Sequence, residues 1–424
     1  MKRTAVLMSI GTRGDIEPFL TLGTFLLRKQ WRVIGVFPAQ FCEEAEEIGL
    51  EPVGFDPAFL EMLEGSEGKA VMGGKGNWWQ RASSLFRLAK KGMRLSREMM
   101  ELQHEILWRE RPELTLFHPK CLYGMIWGMV HPESTVLYSP VPMASHPVDF
   151  LGPTYRDDGR RINRFLFTLT VHVRALALKK FSKPYLPLHQ GIDFSHGALT
   201  SAFRERQRSY YAVSPSLFER PDEWPVTAQI TGYHERDKQR DWSPSPELLR
   251  FLDAYPEAVL VTFGSMTNPE PAKKTQAIVA ALEQHGIPAI LNTSVGGLQQ
   301  LANAPASIHF VRYIPYDWAF PRVRAVVHHG GTGTTHTALK YGLPSMIVPH
   351  IIDQFFWART IAARELGPEG IPIRKLNVAR FAVGVQALVS EQRYRMNARK
   401  IMEAMYQEPK LEDLYQQIVV LADG

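Results

Sequence analysis

The chain has 424 residues, of which 45% are hydrophobic and 22% are charged, and its formal net charge is +6. This length allows two or three domains with their own cores, and the composition is that of an ordinary globular protein. The two cysteines, Cys42 and Cys121, imply no disulfide framework and predict a cytoplasmic setting. No apolar run reaches the ~20 residues that cross a bilayer, and no nucleic-acid motif accompanies the positive charge. The expected partner is therefore an anionic small molecule or lipid surface, and not nucleic acid.

The first half of the chain alternates strand and helix patterns. Strands are predicted at 4–10, 31–37, 51–55, 114–117 and 134–138, with helices over about 18–30 and from residue 39. This alternation is typical of a parallel, doubly wound sheet. Two further segments, 81–97 and 156–183, mix basic and apolar residues. They suit helices that lie on a membrane surface, but a helix with one core face and one solvated face has the same pattern.

Proline-rich segments mark the linker region, after which the strand pattern starts again. The prolines cluster in 221–225 and 242–246. Later strands are predicted at 258–262, 289–291, 309–311 and 325–327. The second half therefore predicts a second doubly wound domain.

The most informative segment follows the strand at 325–327, where a glycine-rich turn leads into a helix predicted over 335–340. Glycines let the backbone approach an anion closely, and the N–H groups and dipole of the following helix attract a diphosphate. Glycine turns also occur in α/β proteins that bind other phosphates or nothing. The predicted diphosphate contacts are His328, Gly330, Gly331, Thr332, Gly333 and Thr334.

A polar pair follows the next predicted strand, 345–348, on the same carboxyl edge of the sheet. The pair is Asp353 and Gln354. A carboxylate accepts hydrogen bonds from two sugar hydroxyls, and an amide both donates and accepts, so the pair suits a hexose attached to the diphosphate. A metal site at His328 and His329 is disfavoured, because adjacent strand residues point to opposite faces. We expect no metal and no cofactor beyond a nucleotide-sugar as co-substrate.

This segment resembles the donor box of the inverting family-1 glycosyltransferases, especially the sterol glucosyltransferase branch and its bacterial macrolide and antibiotic relatives. The likeness extends to GTRGDIEP at 11–18, YAVSPS at 211–216, VTFGSM at 261–266 and YIPYDW at 313–318. It implies the α/β fold called GT-B, in which two Rossmann-like domains face a central cleft. The acceptor domain is expected at 1–220 and the donor domain at 221–405. Residues 406–424 are expected to form a helix that packs back on the first domain.

The catalytic candidate is Asp15, because the loop after a first parallel strand lies where such sheets bind ligands. The resemblance implies that Asp15 is the general base that takes the proton of the acceptor hydroxyl. The alternative is that Asp15 caps the next helix. Arg13 is expected to hold the carboxyl group ionised. His118 is the second candidate, and it could assist Asp15, contact the acceptor or be structural.

The resemblance also implies contacts for the donor and the acceptor. Donor contacts are expected at Gly14, Ser265, Tyr313 and Ile314. The ribose-binding glutamate of plant relatives corresponds to His336 here, which leaves the ribose contacts and the choice of UDP or TDP open. Candidate walls of the acceptor pocket are Trp78, Trp79, Met143, His146 and Phe150.

These expectations combine into one function with stated alternatives. The expected enzyme transfers glucose from UDP-glucose to a hydroxyl of a sterol or another hydrophobic alcohol, with peripheral contact to a membrane. A macrolide or polyphenol acceptor is one alternative. The others are a UDP-sugar epimerase and a non-catalytic helper that only binds a nucleotide-sugar.

Overall fold

The computed structural model describes residues 2–55, 78–142, 145–151, 158–189, 191–236, 242–268, 270–351 and 353–422. The chain divides into two compact units. The first contains 1–212, 220–236 and 409–424, and the second contains 213–219 and 237–408. Residues 221–236, expected in the second domain, thus belong to the first unit.

The first unit is built on a seven-stranded parallel sheet. Its strands are β1 (Thr4–Met8), β2 (Arg32–Pro38), β3 (Glu51–Phe55), β4 (Leu114–Phe117), β5 (Thr135–Ser139), β6 (Ser209–Tyr211) and β7 (Ala228–Ile230). They lie in the order β3-β2-β1-β4-β5-β6-β7. The direction of winding reverses between β1 and β4, and ligands of such sheets bind at the carboxyl ends of the strands beside this reversal. The sequence did not predict β6 and β7, because these short strands lie in no apolar, β-branched run.

The helices of the first unit pack on this sheet, and the last of them comes from the far end of the sequence. They are Arg13–Arg28, Cys42–Glu47, Trp78–Glu110, Leu122–Val130, Arg160–Ser182, His196–Ser201 and Leu411–Ala422. In the last helix, Leu414 and Ile418 are buried in one core with Ala5 and Leu7 of β1. Residues separated by about 400 positions therefore share one hydrophobic core.

The first helix begins five residues before its predicted start. It runs over Arg13–Arg28 and keeps Pro18 inside its second turn. Thr12 is the N-cap residue, and the Asp15 carboxylate accepts from the Thr12 N–H at 2.8 Å. This cap stabilises a start at Arg13. Pro18 is the sixth helical residue, so the helix forgoes the one hydrogen bond that an N–H at this position would make to the Gly14 carbonyl.

The second unit has a five-stranded parallel sheet, which confirms the predicted α/β class. Its strands are β8 (Val259–Thr262), β9 (Ala289–Asn292), β10 (Ile308–Val311), β11 (Ala325–His328) and β12 (Ser345–Ile347), in the order β10-β9-β8-β11-β12. Its helices are Pro246–Ala254, Pro271–Gln284, Tyr316–Ala319, Thr332–Lys340, Gln354–Ala363, Val378–Ser390 and Gln392–Tyr406. The winding reverses between β8 and β11, the strand that precedes the glycine turn. None of the helices in the described ranges is long and apolar enough to cross a membrane.

Candidate active site

The catalytic candidates lie at the winding reversal of the first sheet. Asp15 follows the carboxyl end of β1, and His118 is the residue directly after β4. These two strands are hydrogen-bonded neighbours, so both side chains reach the same edge of the sheet. The His118 Nε2 lies 3.2 Å from the Asp15 Oδ1. The sequence had placed the two residues near one another, and the structure brings them into contact.

The His118 ring has one proton position that fits its surroundings. Its Nδ1 accepts a hydrogen bond from the Lys120 N–H at 3.2 Å. A neutral ring therefore carries its proton on Nε2, and that N–H donates to Asp15. Burial lowers the pKa of His118, although Asp15 opposes this shift, so the ring is neutral near pH 7. His118 thus orients the carboxylate and has no free nitrogen to act as a base itself.

Asp15 is surrounded by hydrogen-bond donors. Its Oδ2 accepts from the Thr12 N–H at 2.8 Å and the Thr12 Oγ1 at 3.3 Å, and its Oδ1 lies 3.2 Å from the Lys120 Nζ. Burial alone would raise the pKa of Asp15, but Lys120, His118 and Thr12 together hold that pKa well below its usual range. The carboxylate is therefore ionised at neutral pH. Both sequence interpretations have a place in this geometry, since Asp15 caps the helix and also presents an oxygen to His118 and Lys120.

The predicted partner of Asp15 was wrong. Arg13 does not contact Asp15; its guanidinium group binds the Glu44 carboxylate at 3.0 and 2.9 Å. Residues two positions apart in a helix point about 160° away from each other, which separates the two side chains. Lys120 takes the expected role. The sequence could have indicated Lys120, because it lies two residues after His118, and His118 directly follows a predicted strand.

The donor candidates lie at the winding reversal of the second sheet. The box helix, Thr332–Lys340, begins at Thr332 and not at the predicted residue 335. Three of the predicted turn residues, at 332, 333 and 334, therefore form its first turn. Their N–H groups have no acceptor within the helix, so this turn keeps the donors that a diphosphate needs.

His328 ends β11 with a buried, neutral ring. Its Nδ1 accepts from the Gly330 N–H at 3.1 Å, so the ring proton is on Nε2. Burial lowers the pKa of His328 to about 3. The Nε2 atom is buried and has no hydrogen-bond partner within the described part of the chain. The ring therefore offers one unused N–H donor beside the glycine turn.

His329 occupies the space that two glycines leave open. A Cβ atom at Gly331 would lie 2.5 Å from the His329 Nε2, and one at Gly264 would lie 2.8 Å from its Cε1. Gly264 also has a φ of +57°, which side chains other than glycine rarely adopt. The turns after β8 and β11 thus pack on one imidazole ring, which explains why both need glycine.

The two residues of the predicted sugar-binding pair differ in their exposure. Asp353 is partly exposed, and its Oδ2 lies 3.5 Å from the Thr332 Oγ1. Gln354 is buried, and its Oε1 accepts from the His350 and Ile351 N–H groups at 2.7 and 3.1 Å. The amide of Gln354 holds its own loop together. Asp353 therefore remains the better placed of the two to meet a sugar.

The other donor candidates are placed less favourably. Ser265 is exposed in the turn after β8, but the next helix begins only at Pro271, so this serine is not at a helix start. Tyr313 is 58% exposed, whereas the side chain of Ile314 is buried in a core cluster. Gly14 lies in the first turn of the helix Arg13–Arg28.

The hydroxyl groups of two predicted diphosphate contacts already have partners. The Trp357 Nε1 donates to the Thr332 Oγ1 at 3.0 Å, and Thr334 is hydrogen-bonded to the Tyr316 hydroxyl. The predicted role of these two threonines therefore rests on their backbone N–H groups.

His336 is fully engaged inside the second unit. Its Nδ1 is 2.7 Å from the Thr332 carbonyl oxygen, and its Nε2 accepts from the Ser214 N–H at 3.0 Å. Both ring nitrogens are used, and the ring is buried. His336 therefore ties residue 214 to the box helix, and it has no free atom for a ribose.

The acceptor candidates are only partly described. Trp78 and Trp79 begin the helix Trp78–Glu110, but their side chains and all of Met143 lie outside the described residues. His146 is buried, and its Nδ1 lies 2.8 Å from the Tyr211 hydroxyl, which is the environment of a core residue. Phe150 is 54% exposed. The acceptor wall therefore stays a prediction.

The sequence and structure of this chain are similar to those of known proteins. The family model "Erythromycin biosynthesis protein CIII-like, C-terminal domain" matches residues 277–421. A sterol 3-beta-glucosyltransferase of Arabidopsis thaliana is 27% identical over 418 residues, which cover 95% of this chain and 63% of that protein. The O-mycaminosyltylonolide 6-deoxyallosyltransferase of Streptomyces fradiae is 27% identical over 422 residues, which cover 96% and 94% of the two chains. Over most of its length this chain is similar to the family-1 glycosyltransferases.

Solved structures confirm the GT-B fold for this chain. The glycosyltransferase of kitacinnamycin has a TM-score of 0.72 at 16% identity, with 100% of both chains covered. The glycosyltransferase VinC, solved in complex with dTDP, has a TM-score of 0.64 at 16% identity, with 99% of both chains covered. The chain spans about 63% of the length of the Arabidopsis relative.

Proposed function

We propose that this protein is an inverting glycosyltransferase that moves a hexose, glucose from UDP-glucose, to a hydroxyl of a hydrophobic alcohol such as a sterol. The observation that carries the proposal is the unused Nε2–H of His328. A buried donor without a partner costs about 1–3 kcal/mol, and a diphosphate oxygen would remove that cost. The glycine turn and the first turn of the box helix add further donors beside it.

The same groups account for the departure of the nucleotide. As the bond from the anomeric carbon to the diphosphate breaks, negative charge grows on the diphosphate oxygen. Preorganised donors and the positive end of a helix dipole stabilise such charge. The neutral His328 ring, the glycine N–H groups and the box helix supply this stabilisation from the protein itself.

Asp15 supplies the other half of the reaction. The acceptor oxygen attacks the anomeric carbon on the side opposite the diphosphate, which inverts the configuration, and its proton passes to the Asp15 carboxylate. His118 is a positioning residue in this scheme, because its Nε2–H fixes the orientation of the carboxylate. Asp15 is ionised in the structure and can therefore take a proton, but the donors that lower its pKa also make it a weaker base, so this role requires one of them to leave.

The donor and the acceptor are proposed from residue chemistry and from the relatives. Asp353 can accept from two hexose hydroxyls. One relative is named as a sterol 3-beta-glucosyltransferase, which supports glucose and a sterol-like acceptor. Another is named as a 6-deoxyallosyltransferase, and VinC was solved with dTDP, so TDP-sugars and macrolide or polyphenol acceptors are the alternative.

The first test is nucleotide release from a panel of UDP- and TDP-sugars, with and without a library of hydrophobic alcohols, with products identified by mass. We expect UDP release that depends on an acceptor, together with a hexose adduct of that acceptor. An isomerised sugar formed from donor alone would identify an epimerase. Donor binding without any product would identify a non-catalytic helper.

The second test is the Asp15→Asn variant. An asparagine can still accept from the Thr12 N–H, so the helix start is kept, but it cannot take the proton of the acceptor. Because general base catalysis contributes about 10²–10⁴-fold, we expect turnover to fall by that factor while UDP binding persists. Glu17→Gln in the same helix turn is the control, with near-normal turnover per folded molecule. Near-normal turnover of Asp15→Asn would disprove the assignment.

A further inference from the structure

The helix Arg160–Ser182 of the first unit is apolar on two opposite sides. Its buried side carries Asn163, Phe167, Val171, Ala175, Leu178 and Ser182. Five large apolar side chains are exposed on the other side, and we call them the outer stripe: Ile162 (53%), Phe165 (66%), Leu169 (49%), Val173 (56%) and Leu176 (57%). At 3.6 residues per turn the two sets lie about 180° apart. A helix with a solvated outer face would carry polar residues there.

The charges around the outer stripe have one sign. None of the residues from 160 to 182 is Asp or Glu. Lys180 and Lys183 continue the spacing of the stripe beyond Leu176, and both are exposed. Arg161, Lys179, Lys180 and Lys183 form no ion pair with any residue that the structure describes. In contrast, Arg160 and Arg164 bind the Asp149 carboxylate.

We propose that the outer stripe docks on the surface of an anionic lipid membrane. A membrane offers hydrocarbon to the apolar side chains and negative headgroups to the lysines, so it matches both properties of this face. A second copy of the chain matches only one of them. In a dimer formed through the outer stripe, the lysines and arginines of one helix would lie near those of the other. Neither helix contributes a carboxylate to balance them, and like charges at an interface are unfavourable.

Sedimentation of the full chain with lipid vesicles tests this proposal. We expect the protein to pellet with vesicles of mixed phosphatidylcholine and phosphatidylglycerol, much less with phosphatidylcholine alone, and less as salt increases. The double variant Phe165→Gln, Leu169→Gln should lose most of this binding. The control is Val226→Gln, Val383→Gln, which replaces side chains that are 84% and 71% exposed elsewhere.

A second pair of variants tests the charges. Each lysine near an anionic surface contributes on the order of fivefold in affinity, so Lys179→Gln, Lys180→Gln should weaken vesicle binding by roughly 25-fold. Lys375→Gln, Lys400→Gln removes the same charge from exposed positions elsewhere and should have little effect.

Three results would overturn the proposal. They are absence of pelleting by the unmodified protein at low salt, equal losses in stripe and control variants, and a dimer that depends on the stripe without vesicle binding. The docking does not require the proposed catalysis. Because stripe variants should still transfer sugar to a water-soluble acceptor, failure of the docking and failure of the proposed function are separately visible.

Discussion

Four donors occupy the lone pairs of Asp15. A carboxylate has about four acceptor positions, and the Thr12 N–H, the Thr12 hydroxyl, His118 and Lys120 fill them. An acceptor hydroxyl therefore has to displace one of these donors before it can give up its proton. The side chain of Lys120 is 43% exposed, compared with 4% for His118, so the lysine is the donor that can leave most easily.

This geometry predicts a change in the pH profile when Lys120 is replaced. Lys120 is the foremost group that lowers the pKa of Asp15, so Lys120→Gln should raise that pKa. The acid limb of kcat/KM reports the base of the free enzyme, and we expect it to move to higher pH in this variant. Lys120→Arg keeps the charge and should restore the original profile. An identical acid limb in Lys120→Gln would show that Asp15 is not the group that titrates.

The sequence alone could not predict which side chains Asp15 and His336 contact. Asp15 was predicted as a candidate because it follows a strong strand pattern. Its contact with Lys120 spans 105 positions and depends on the pairing of β1 with β4. The capture of His336 by Ser214 spans 122 positions and is likewise invisible in local patterns.

At the scale of elements, the two glycine turns of the second sheet share one support, the His329 ring. This arrangement predicts that two glycine substitutions at the same backbone conformation lower the free energy of unfolding by different amounts. Gly264 and Gly286 have φ values of +57° and +58°, but an added Cβ would meet His329 only at Gly264 and open space at Gly286.

Both substitutions to alanine should therefore lose about 1–2 kcal/mol from the left-handed conformation. Gly264→Ala should lose a further 1–3 kcal/mol or so from overpacking. Chemical denaturation of the two variants measures this difference. Equal losses would mean that the His329 ring moves aside without cost.

Element types were easier to predict than their ends. Apart from β6 and β7, the strands were correctly predicted, because apolar, β-branched runs bounded by turn residues are a strong local signal. Helix starts were predicted too late at Arg13 and Thr332, by five and three residues. In both places the first turn contains glycine, whose low helix propensity argues against a helix there. Capping and an anion site at the N-terminus nevertheless favour a helix start at these positions.

At the scale of the whole molecule, the first unit depends on the last residues described. Leu414 and Ile418 are almost completely buried against the core around β1, and the Lys29 Nζ lies 2.7 Å from a Glu412 carboxylate oxygen. Burial of such side chains is worth about 2–5 kcal/mol each.

Deletion of residues 409–424 should therefore destabilise the first unit and leave nucleotide binding in the second unit largely intact. Thermal unfolding and calorimetric titration with UDP measure the two effects. Leu414→Ala should reproduce part of the destabilisation, and Val383→Ala, at a side chain 71% exposed, is the control. Loss of UDP binding in the deletion variant, without loss of stability, would contradict this division.

The first unit is built from separate segments of the chain, and this has a consequence during protein synthesis. Residues 237–408 all belong to the second unit and are translated before the last segment of the first unit, 409–424. At about 5–20 residues per second, this interval lasts roughly 10–35 seconds. Throughout it, the apolar cluster that contains Ala5, Leu7 and Trp31 lacks the part of its cover that Leu414 and Ile418 provide.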